Sequence, residues 1–273
     1  MAVAIGLAGC AATNPKDPFE GFNRAMFDFN DTLDKAAIKP AAEAYTHLPS
    51  FVQTGVNNFF GNLGDVWTAA NNLLQGKLAD GMSDVMRVAV NTTFGLVGLL
   101  DIGTEAGLTK HNEDFGQTLG KWGLKSGPYV VLPILGSSTL RDTAATPLDF
   151  AGNPLSEVRP VHWRNTGAVL RGIDQRAALL GASTLIEEAA LDRYVFIRDA
   201  YLQRRQNQVY DGNPPESAYE HDVGPTLTTE GDADLKQKQS ADNGVQATGT
   251  EPAAKSVVEM EQKSRTSTTS AKQ

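Results

Sequence analysis

The chain contains 273 residues, of which 41% are hydrophobic, and this is enough to bury one core of ordinary size. Its formal net charge of −8 argues against a nucleic-acid partner, because neutralising phosphates requires clustered Lys and Arg. The one cysteine excludes internal disulfides and cysteine-based zinc sites, and no apolar run reaches the roughly 18 residues of a transmembrane helix.

The cysteine ends the sequence Leu7-Ala8-Gly9-Cys10, which follows an apolar run from Ala2 to Ala8. Small residues before a cysteine give a signal peptidase access to the bond, so the pattern predicts a lipobox with lipidation of Cys10. Three acyl chains, at about 0.8 kcal/mol per buried CH₂, would anchor the protein permanently. The alternative is a buried cysteine near a frayed terminus, but the polar residues that follow offer it no apolar partner.

The segment before the cysteine, residues 1–9, is predicted to be the remnant of a signal peptide. Because its apolar run is short and no Lys or Arg precedes it, we expect a basic segment upstream of Met1. Ala11 is not the Asp that usually retains lipoproteins in the inner membrane, so the outer membrane is favoured.

A polar tether, residues 10–16, is predicted to precede the folded part of the chain. Asp17 followed by Pro18 is a good helix start, because Asp caps free amides and Pro is tolerated in the first turn. Apolar residues then recur at helical spacing up to Leu33, and Pro40 is predicted to end this helix.

Two further helices are predicted over Pro49–Gln75 and Lys77–Asn91 from their apolar periodicity. Three glycines inside the first of them predict a bend between two helical pieces. These glycines are Gly55, Gly61 and Gly64.

Glycine and proline dominate the middle of the chain. Thr93–Gly103 is apolar and glycine-rich without sustained alternation, which predicts a loop or a broken helix. Asn112 is predicted to cap a short helix through Trp122. Gly123–Gly136 contains two prolines and three glycines, so we expect a fixed, irregular apolar segment that is buried or faces lipid.

The last predicted helices lie between Ser138 and Gln208. Ser138 is predicted to cap a helix that ends near Pro147, and others follow over Pro160–Leu180 and Leu191–Gln208. The tail, residues 211–273, is polar and nearly devoid of aromatic residues, so it is predicted to be disordered.

Candidate catalytic patterns are weak. His111, Glu113 and Asp114 lie together and could supply a general base or half a metal site, but a structural role for His111 is favoured. Gly136-Ser137-Ser138 lacks the G-x-S-x-G elbow of a nucleophile, and Gly95-Leu96-Val97-Gly98 fails the spacing of a dinucleotide site. The sequence therefore predicts no enzyme, no cofactor and no metal site.

Two other groups of residues are assigned structural roles. Arg141 and Asp142 are adjacent, so on a helix they are expected to point to different neighbours and to form ion pairs with other elements. Five phenylalanines are favoured as core residues over lipid-cavity residues on spacing alone. They are Phe22, Phe29, Phe59, Phe60 and Phe115.

A series of short motifs occurs between about residues 17 and 206. The motifs are Asp17-Pro18-Phe19-Glu20-Gly21-Phe22-Asn23-Arg24, Asn58-Phe59-Phe60-Gly61-Asn62-Leu63, Asn72-Leu73-Leu74-Gln75-Gly76, Arg87 with Asn91-Thr92, Asp114-Phe115-Gly116-Gln117-Thr118-Leu119-Gly120, Gly127-Pro128-Tyr129 with Leu132-Pro133, Thr139-Leu140-Arg141-Asp142 and Asp199-Ala200-Tyr201. In this order they resemble the MlaA/VacJ family of outer-membrane lipoproteins.

The resemblance implies an all-α fold for residues 17–210, a ring-like bundle of amphipathic helices in the outer membrane with an amphipathic channel. It also implies a function: removal of mislocalised glycerophospholipids from the outer leaflet and their transfer to a soluble periplasmic carrier, which maintains lipid asymmetry. Trimeric outer-membrane porins would hold the protein in position, and no covalent chemistry would be involved.

We add the hypothesis that the irregular glycine- and proline-rich segment lines or gates the lipid path. The predicted path residues are Gly127, Pro128, Tyr129, Leu132, Pro133, Gly136, Phe59 and Phe60. An apolar wall would shield acyl chains while a polar strip accommodates the headgroup. The alternatives are a structural porin-associated lipoprotein without lipid transport and, less favoured, a lipoprotein lipase.

Overall fold

The computed structural model describes residues 14–215, so Cys10 and the predicted tail beyond residue 215 lie outside the described residues. Within this part of the chain the helices are α1 (Glu20–Leu33), α2 (Lys39–Thr46), α3 (Ser50–Leu74), α4 (Leu78–Thr93), α5 (Ile102–Glu105), α6 (Phe115–Lys121), α7 (Leu140–Gly152), α8 (Val161–Ala178), α9 (Leu180–Ala189) and α10 (Arg193–Val209). A π-helical segment (Asp34–Ile38) joins α1 to α2, and a 3₁₀ helix (Pro154–Glu157) follows α7. Two short antiparallel strands, β1 (Tyr129–Leu132) and β2 (Gly136–Thr139), form a hairpin. The predicted all-α class is confirmed, with this one hairpin added.

Prolines do not end helices where the sequence predicts. The helical path continues through Pro40, because the wide π-helical turn places this proline in the first turn of α2, where its missing N–H is not needed. Likewise α7 continues past Pro147 to Gly152. Its last turns are held by the Asp149 carboxylate, which accepts hydrogen bonds from Trp67 Nε1 at 2.8 Å and the Phe115 amide at 2.7 Å.

The predicted bend in the second long helix is wrong, since α3 is one uninterrupted helix of 25 residues. Its glycines instead admit neighbouring residues. A Cβ at Gly61 would lie 2.8 Å from Lys110 Nζ, and one at Gly64 would lie 3.8 Å from Arg171 Nη2.

Two predicted caps are also wrong by a few residues. Asp114, not Asn112, caps α6 by accepting a hydrogen bond from the Gln117 amide. Thr139 caps α7 by accepting a hydrogen bond from the Asp142 amide at 3.2 Å, whereas the Ser138 hydroxyl contacts Thr143. In both cases the capping residue has the extended backbone that lets a side chain turn back onto the first helical amides.

The interior of residues 14–215 is unusually polar. More polar and charged side chains than apolar ones are buried there, and Arg87 is the largest fully buried side chain. Soluble proteins bury few charged groups, and they do so only in pairs. The fold is therefore held by paired polar groups as well as by an apolar core.

The polar interior is clearest between α3 and α4. On α4, Asp84, Arg87 and Asn91 are buried against α3, while Met82 and Met86 are exposed. On α3, the buried polar residues are Asn62, Asp65, Thr68, Asn71 and Asn72, and the exposed apolar ones are Phe51, Val66, Leu73 and Leu74. The helix pair thus has its apolar residues outside and its polar residues inside, the reverse of a water-soluble helix.

Arg87 joins this pair to the segment that follows. Its guanidinium donates to both carboxylate oxygens of Asp101, at 2.9 and 3.0 Å, and to the Leu108 carbonyl at 2.8 Å. Asn91 also donates to Asp101, at 3.0 Å. These bonds fix the glycine-rich segment that the sequence predicted as a loop or broken helix, which consists of turns followed by α5.

A second network joins α6, α7 and α10. Arg205 donates to Asp142 at 2.8 Å and to Asp114 at 2.6 Å, and the Tyr201 hydroxyl donates to Asp142 at 3.1 Å. Arg141 donates to Asp142 at 2.9 Å. The expectation that Arg141 and Asp142 point to different neighbours is therefore wrong, because both are buried and meet in the same charged site.

The five phenylalanines predicted as core do not share one environment. Phe60 is buried and Phe59 and Phe115 are partly buried, whereas Phe22 and Phe29 are exposed. The core prediction is therefore wrong for Phe22 and Phe29. The apolar cluster beneath the hairpin is instead built on Tyr129, Val131, Tyr194 and Leu202, with Met26 and Phe27 packed against it.

We expect Arg205→Ala to lower the free energy of unfolding by about 3–5 kcal/mol, since it leaves two carboxylates without their shared partner. The matched control is Arg204→Ala, which removes an exposed arginine from the same helix and should cost less than about 1 kcal/mol. Thermal unfolding of the two purified variants in detergent, followed by circular dichroism, measures the difference. Equal losses in both variants would contradict a structural role for the network.

The same network predicts a pH dependence. Burial raises the pKa of Asp114 and Asp142, but the hydrogen bonds from Arg205 outweigh it and hold both pKa values below the ordinary range. A lowered pKa in the folded state means that this stabilisation is complete above the unfolded pKa of about 3.9 and is lost as the pH falls through the folded pKa.

The difference in unfolding midpoint between wild type and Arg205→Ala should therefore be largest near pH 7 and should shrink as the pH falls, because without Arg205 burial favours the protonated carboxyl groups in the variant. Arg204→Ala should follow wild type as the pH falls. A difference that is the same at pH 7 and pH 3 would show that the carboxylates do not contribute through their charge.

Candidate functional site

The segment predicted as irregular and apolar folds as the β1–β2 hairpin and its flanks. Tyr129 pairs with Thr139 and Leu132 with Gly136, so three residues form the connecting loop. Ile134 in that loop has a left-handed backbone with φ 68°, and Gly136 has φ 81°. Aromatic and β-branched residues in the run from Tyr129 to Leu132 favour a strand, and the strand geometry buries every second side chain.

Two asparagines of α1 hold the hairpin. Asn23 donates to the Tyr129 carbonyl at 3.0 Å and accepts from the Val131 amide at 2.8 Å. Asn30 donates to the Leu132 carbonyl at 2.9 Å and accepts from the Ile134 amide at 2.7 Å. Because residues seven apart lie on one face of a helix, both side chains reach the same strand. The hairpin is fixed to α1 along its whole first strand.

The first strand of the hairpin and its connecting loop differ in exposure. Tyr129 and Val131 are fully buried, and the ring of Tyr129 contacts that of Tyr194 with centroids 6.3 Å apart. At the loop, Ile134 is 70% exposed and Leu135 is 55% exposed. A rigid strand therefore presents an exposed apolar tip.

A third polar contact ties the start of the fold to this core. The Asp17 carboxylate accepts hydrogen bonds from Asn23 at 2.7 Å, from Arg198 at 3.3 Å and from the Tyr194 hydroxyl. Burial, followed by the hydrogen bond to Asp17, raises the pKa of Tyr194 far above its ordinary value, so the phenol stays protonated as a donor.

A small cavity of about 210 Å³ lies between α1, the hairpin and α10. Its lining combines apolar, polar and charged side chains: Phe27, Asn30, Asp31, Asp34, Val131, Gly136, Ser137, Arg193 and Ile197. Arg193 pairs with Asp31 at 2.9 Å. Burial raises the pKa of Asp31, but hydrogen bonds from Lys35 and Arg193 outweigh it and hold the pKa below its usual value. The cavity is thus amphipathic, with its charges paired.

A larger groove of about 890 Å³ follows the first half of α10, where Leu191, Val195, Phe196 and Leu202 form part of its wall. Both the groove and the cavity adjoin the cluster under the hairpin, since Leu202 and Val131 belong to that cluster. A volume of 890 Å³ is in the range that accommodates a small organic ligand, about 300–1,000 Å³.

The structure brings together six of the eight predicted path residues. Gly127, Pro128, Tyr129, Leu132, Pro133 and Gly136 all belong to the hairpin or its entry. Phe59 and Phe60 lie on α3, with ring centroids 5.3 Å apart. Phe60 faces α8, where a Cβ at Gly167 would lie 3.8 Å from its ring. Within residues 14–215, neither phenylalanine makes a ring contact with the hairpin.

Sequence reasoning missed the residues that hold the site. In the sequence Asn23 is marked only as part of a motif, and no local pattern marks Asn30 or Arg193. A spacing of seven between two asparagines on an amphipathic helix was the available signal, but it does not identify the strand they bind.

In the structure, each residue of the weak catalytic patterns contacts a different partner. His111 contacts Asp84 at 2.9 Å, Glu113 contacts Lys77 at 3.1 Å, and Asp114 pairs with Arg205. The Ser137 hydroxyl contacts Tyr129 at 2.8 Å. Among the described residues, no group of three His, Cys, Asp or Glu side chains is placed to hold a metal ion.

No helix within residues 14–215 is both long and apolar enough to cross a membrane. Exposed apolar residues are nevertheless numerous. Besides the outer face of α3 and α4, they include Phe94, Leu96, Val97, Leu99 and Leu100 in the turns after α4, and Val161, Trp163 and Val169 on α8. A surface of this kind marks contact with another apolar phase or a partner protein.

Comparison with known proteins agrees with these features. A chain from Shigella flexneri named "Intermembrane phospholipid transport system lipoprotein MlaA" is 37% identical over 218 residues, covering 74% of this chain and 85% of the relative. The protein of the same name from Escherichia coli is 36% identical over the same coverage.

A solved structure described as "Structural basis for maintenance of bacterial outer membrane lipid asymmetry" matches with a TM-score of 0.63 and 36% identity, covering 72% of this chain and 99% of that one. The sequence profile of the family described as MlaA lipoprotein matches residues 15–208, which include every helix and strand from α1 to α9 and nearly all of α10. The chain therefore belongs to the MlaA lipoprotein family.

Proposed function

We propose that this protein removes mislocalised glycerophospholipids from the outer leaflet of the outer membrane and passes them to a soluble periplasmic carrier, which maintains lipid asymmetry. Its relatives are named for intermembrane phospholipid transport, and its structural neighbour is described in terms of outer-membrane lipid asymmetry. We further propose that it does so without covalent chemistry and without a cofactor.

The observation that carries this function is the reversal of faces on α3 and α4. Exposed methionines, leucines and valines on both helices lose contact with water when they meet acyl chains, at about 25 cal/mol per Å² of apolar surface. Inside the protein, the buried Arg87 would stay paired with Asp101, and the buried Asp84 would keep its hydrogen bond from Asn72. This arrangement favours a helix pair that lies against the lipid phase with its polar groups turned inward.

The hairpin supplies a route for the lipid along the protein. Its exposed tip at Ile134 and Leu135 can contact acyl chains, while the cavity beside Gly136 offers paired charges and amide groups to a headgroup. The cavity of about 210 Å³ is too small for a whole phospholipid, so it would take only part of one at a time. We propose that Gly127, Pro128, Tyr129, Leu132, Pro133 and Gly136 line or gate this route.

Phe59 and Phe60 belong to the proposed route at a different point, the contact between α3 and α8. Phe60 is buried in this helix contact, whereas Phe59 is partly exposed. We assign the pair to a ring-like arrangement of helices around an amphipathic channel.

We propose that lipidation of Cys10 anchors the protein on the periplasmic side of the outer membrane and that a trimeric porin holds it in position. A purely structural porin-associated role is the alternative. If this alternative holds, deletion of the protein leaves surface phospholipid unchanged. If the protein transports lipid, its deletion raises surface phospholipid. A lipase role is disfavoured because the sequence lacks the G-x-S-x-G elbow and the Ser137 hydroxyl contacts Tyr129 rather than a histidine.

Met86→Asp places a charge on the exposed apolar face of α4. If this face meets acyl chains, the carboxylate costs about 2.5–3.5 kcal/mol there, and less protein will occupy its working position. We expect more phospholipid on the surface of intact cells that carry this variant, measured by accessibility to an added phospholipase. The control Met86→Leu keeps the face apolar and should match wild type.

Equal surface phospholipid in the Met86→Asp, Met86→Leu and wild-type strains, at matched protein levels, would show that this face does not meet lipid. A strain that lacks the protein gives the highest surface phospholipid expected in this assay. If deletion changes porin complexes but leaves surface phospholipid unchanged, the structural alternative replaces transport.

Ile134→Asp tests the hairpin tip. Asp tolerates the left-handed backbone at this position better than Ile does, so folding should be preserved while the tip becomes charged. We expect surface phospholipid to rise toward the level of the deletion strain. Ile134→Leu keeps the tip apolar and serves as the control. Wild-type phospholipid levels with Ile134→Asp would remove the tip from the lipid route.

A further inference from the structure

Arg171 lies on the side of α8 that crosses α3. Its side chain is half-buried, and its Nη2 atom lies 3.8 Å from the position that a Cβ would take at Gly64. This is an ordinary contact distance, so the guanidinium lies against α3 at this glycine.

Arg171 carries a charge without a protein partner. Within residues 14–215 it makes no ion pair and no side-chain hydrogen bond, whereas the buried arginines all pair with carboxylates. Burial alone lowers its pKa, and no nearby acid opposes the shift. An arginine nevertheless stays protonated at neutral pH. The structure therefore holds a partly desolvated positive charge with unused donors.

The nearest acid on the same face of α8 is already engaged. Asp174, three residues after Arg171, accepts a hydrogen bond from the Tyr45 hydroxyl at 2.9 Å and another from Asn57 at 3.0 Å. Burial and the hydrogen bond to Asp174 raise the pKa of Tyr45 to about 12, so the phenol remains a donor. Each oxygen of Asp174 thus has a neutral partner, and the carboxylate does not turn to the guanidinium.

The surroundings of Arg171 are otherwise apolar on one side. One turn earlier on α8, Gly167 faces Leu155 and the ring of Phe60, whose nearest atoms would lie 3.0 and 3.8 Å from an added Cβ. Because Phe60 is buried in this packing, the unused donors of the half-buried Arg171 can meet a ligand only on the accessible side of its side chain. Guanidinium and phosphate form paired, charge-assisted hydrogen bonds that are stronger than those between neutral groups.

We propose that Arg171 binds the phosphodiester of a glycerophospholipid on its accessible side, where α8 crosses α3, a headgroup subsite that depends on the transport function proposed above. The shared chemistry is a phosphate group, whether it belongs to a lipid or is free in solution.

The test uses the full-length lipidated protein purified in detergent, with fluorescent phosphatidylglycerol and fluorescent diacylglycerol of the same chain length as probes. We expect Arg171→Gln to weaken binding of phosphatidylglycerol by about tenfold or more, since a hydrogen-bonded charge pair is lost. Binding of diacylglycerol, which lacks the phosphate, should be unchanged. Arg171→Lys should restore part of the affinity. Arg164→Gln removes the same charge from the same helix and should match wild type.

The inference is overturned if Arg171→Gln binds phosphatidylglycerol as wild type does, or if it loses affinity for diacylglycerol to the same extent, which would indicate packing alone. Competition with inorganic phosphate distinguishes the two sources of phosphate. Displacement of the lipid probe by phosphate at equal concentration would overturn a lipid site in favour of a free-anion site. If the wild-type protein binds neither lipid probe, the transport function itself fails.

Discussion

Pairing of buried guanidinium groups with carboxylates is the constraint on which this fold depends. Arg87, Arg198 and Arg205 each lie inside the protein, and each meets an aspartate from outside its own helix. An unpaired charge in such a place costs several kcal/mol, so the helices that carry the two partners cannot separate without a large penalty. These networks bring the first turn of the fold, α4, α6 and α7 to their positions relative to the neighbouring elements.

The same constraint explains why the surface is apolar. When helices use their polar side chains to hold each other, the apolar residues remain on the outside, as on α3 and α4. In water that surface would be unfavourable, but against acyl chains it is the favourable one. The motifs that carry the family resemblance include the buried partners Asp17, Asn23 and Asp142, so much of what identifies the family in sequence is the interior of the protein.

Sequence patterns predicted the helices whose apolar residues recur regularly, such as α4 and α8, and they marked residues 127–136 as unlike a helix. They failed where tertiary contacts override a local rule. Pro40 follows a π-helical turn, and the glycines of α3 admit side chains from elsewhere, neither of which is visible in local spacing. For the candidate site, the hairpin residues could be chosen from composition. The amides that hold them could not, because Asn23 and Asn30 meet their partners more than a hundred residues away.

The contacts between α1 and the hairpin decide whether two copies of this protein can pair through the edge of β1. A two-stranded sheet has free edges, and an open edge invites a strand from another molecule. On β1 that edge is covered: Asn23 and Asn30 bind three of its backbone groups, and the Tyr129 amide donates to the Lys16 carbonyl at 2.9 Å. The first strand is thereby closed to pairing between molecules, and its apolar tip can stay exposed without starting edge-to-edge aggregation.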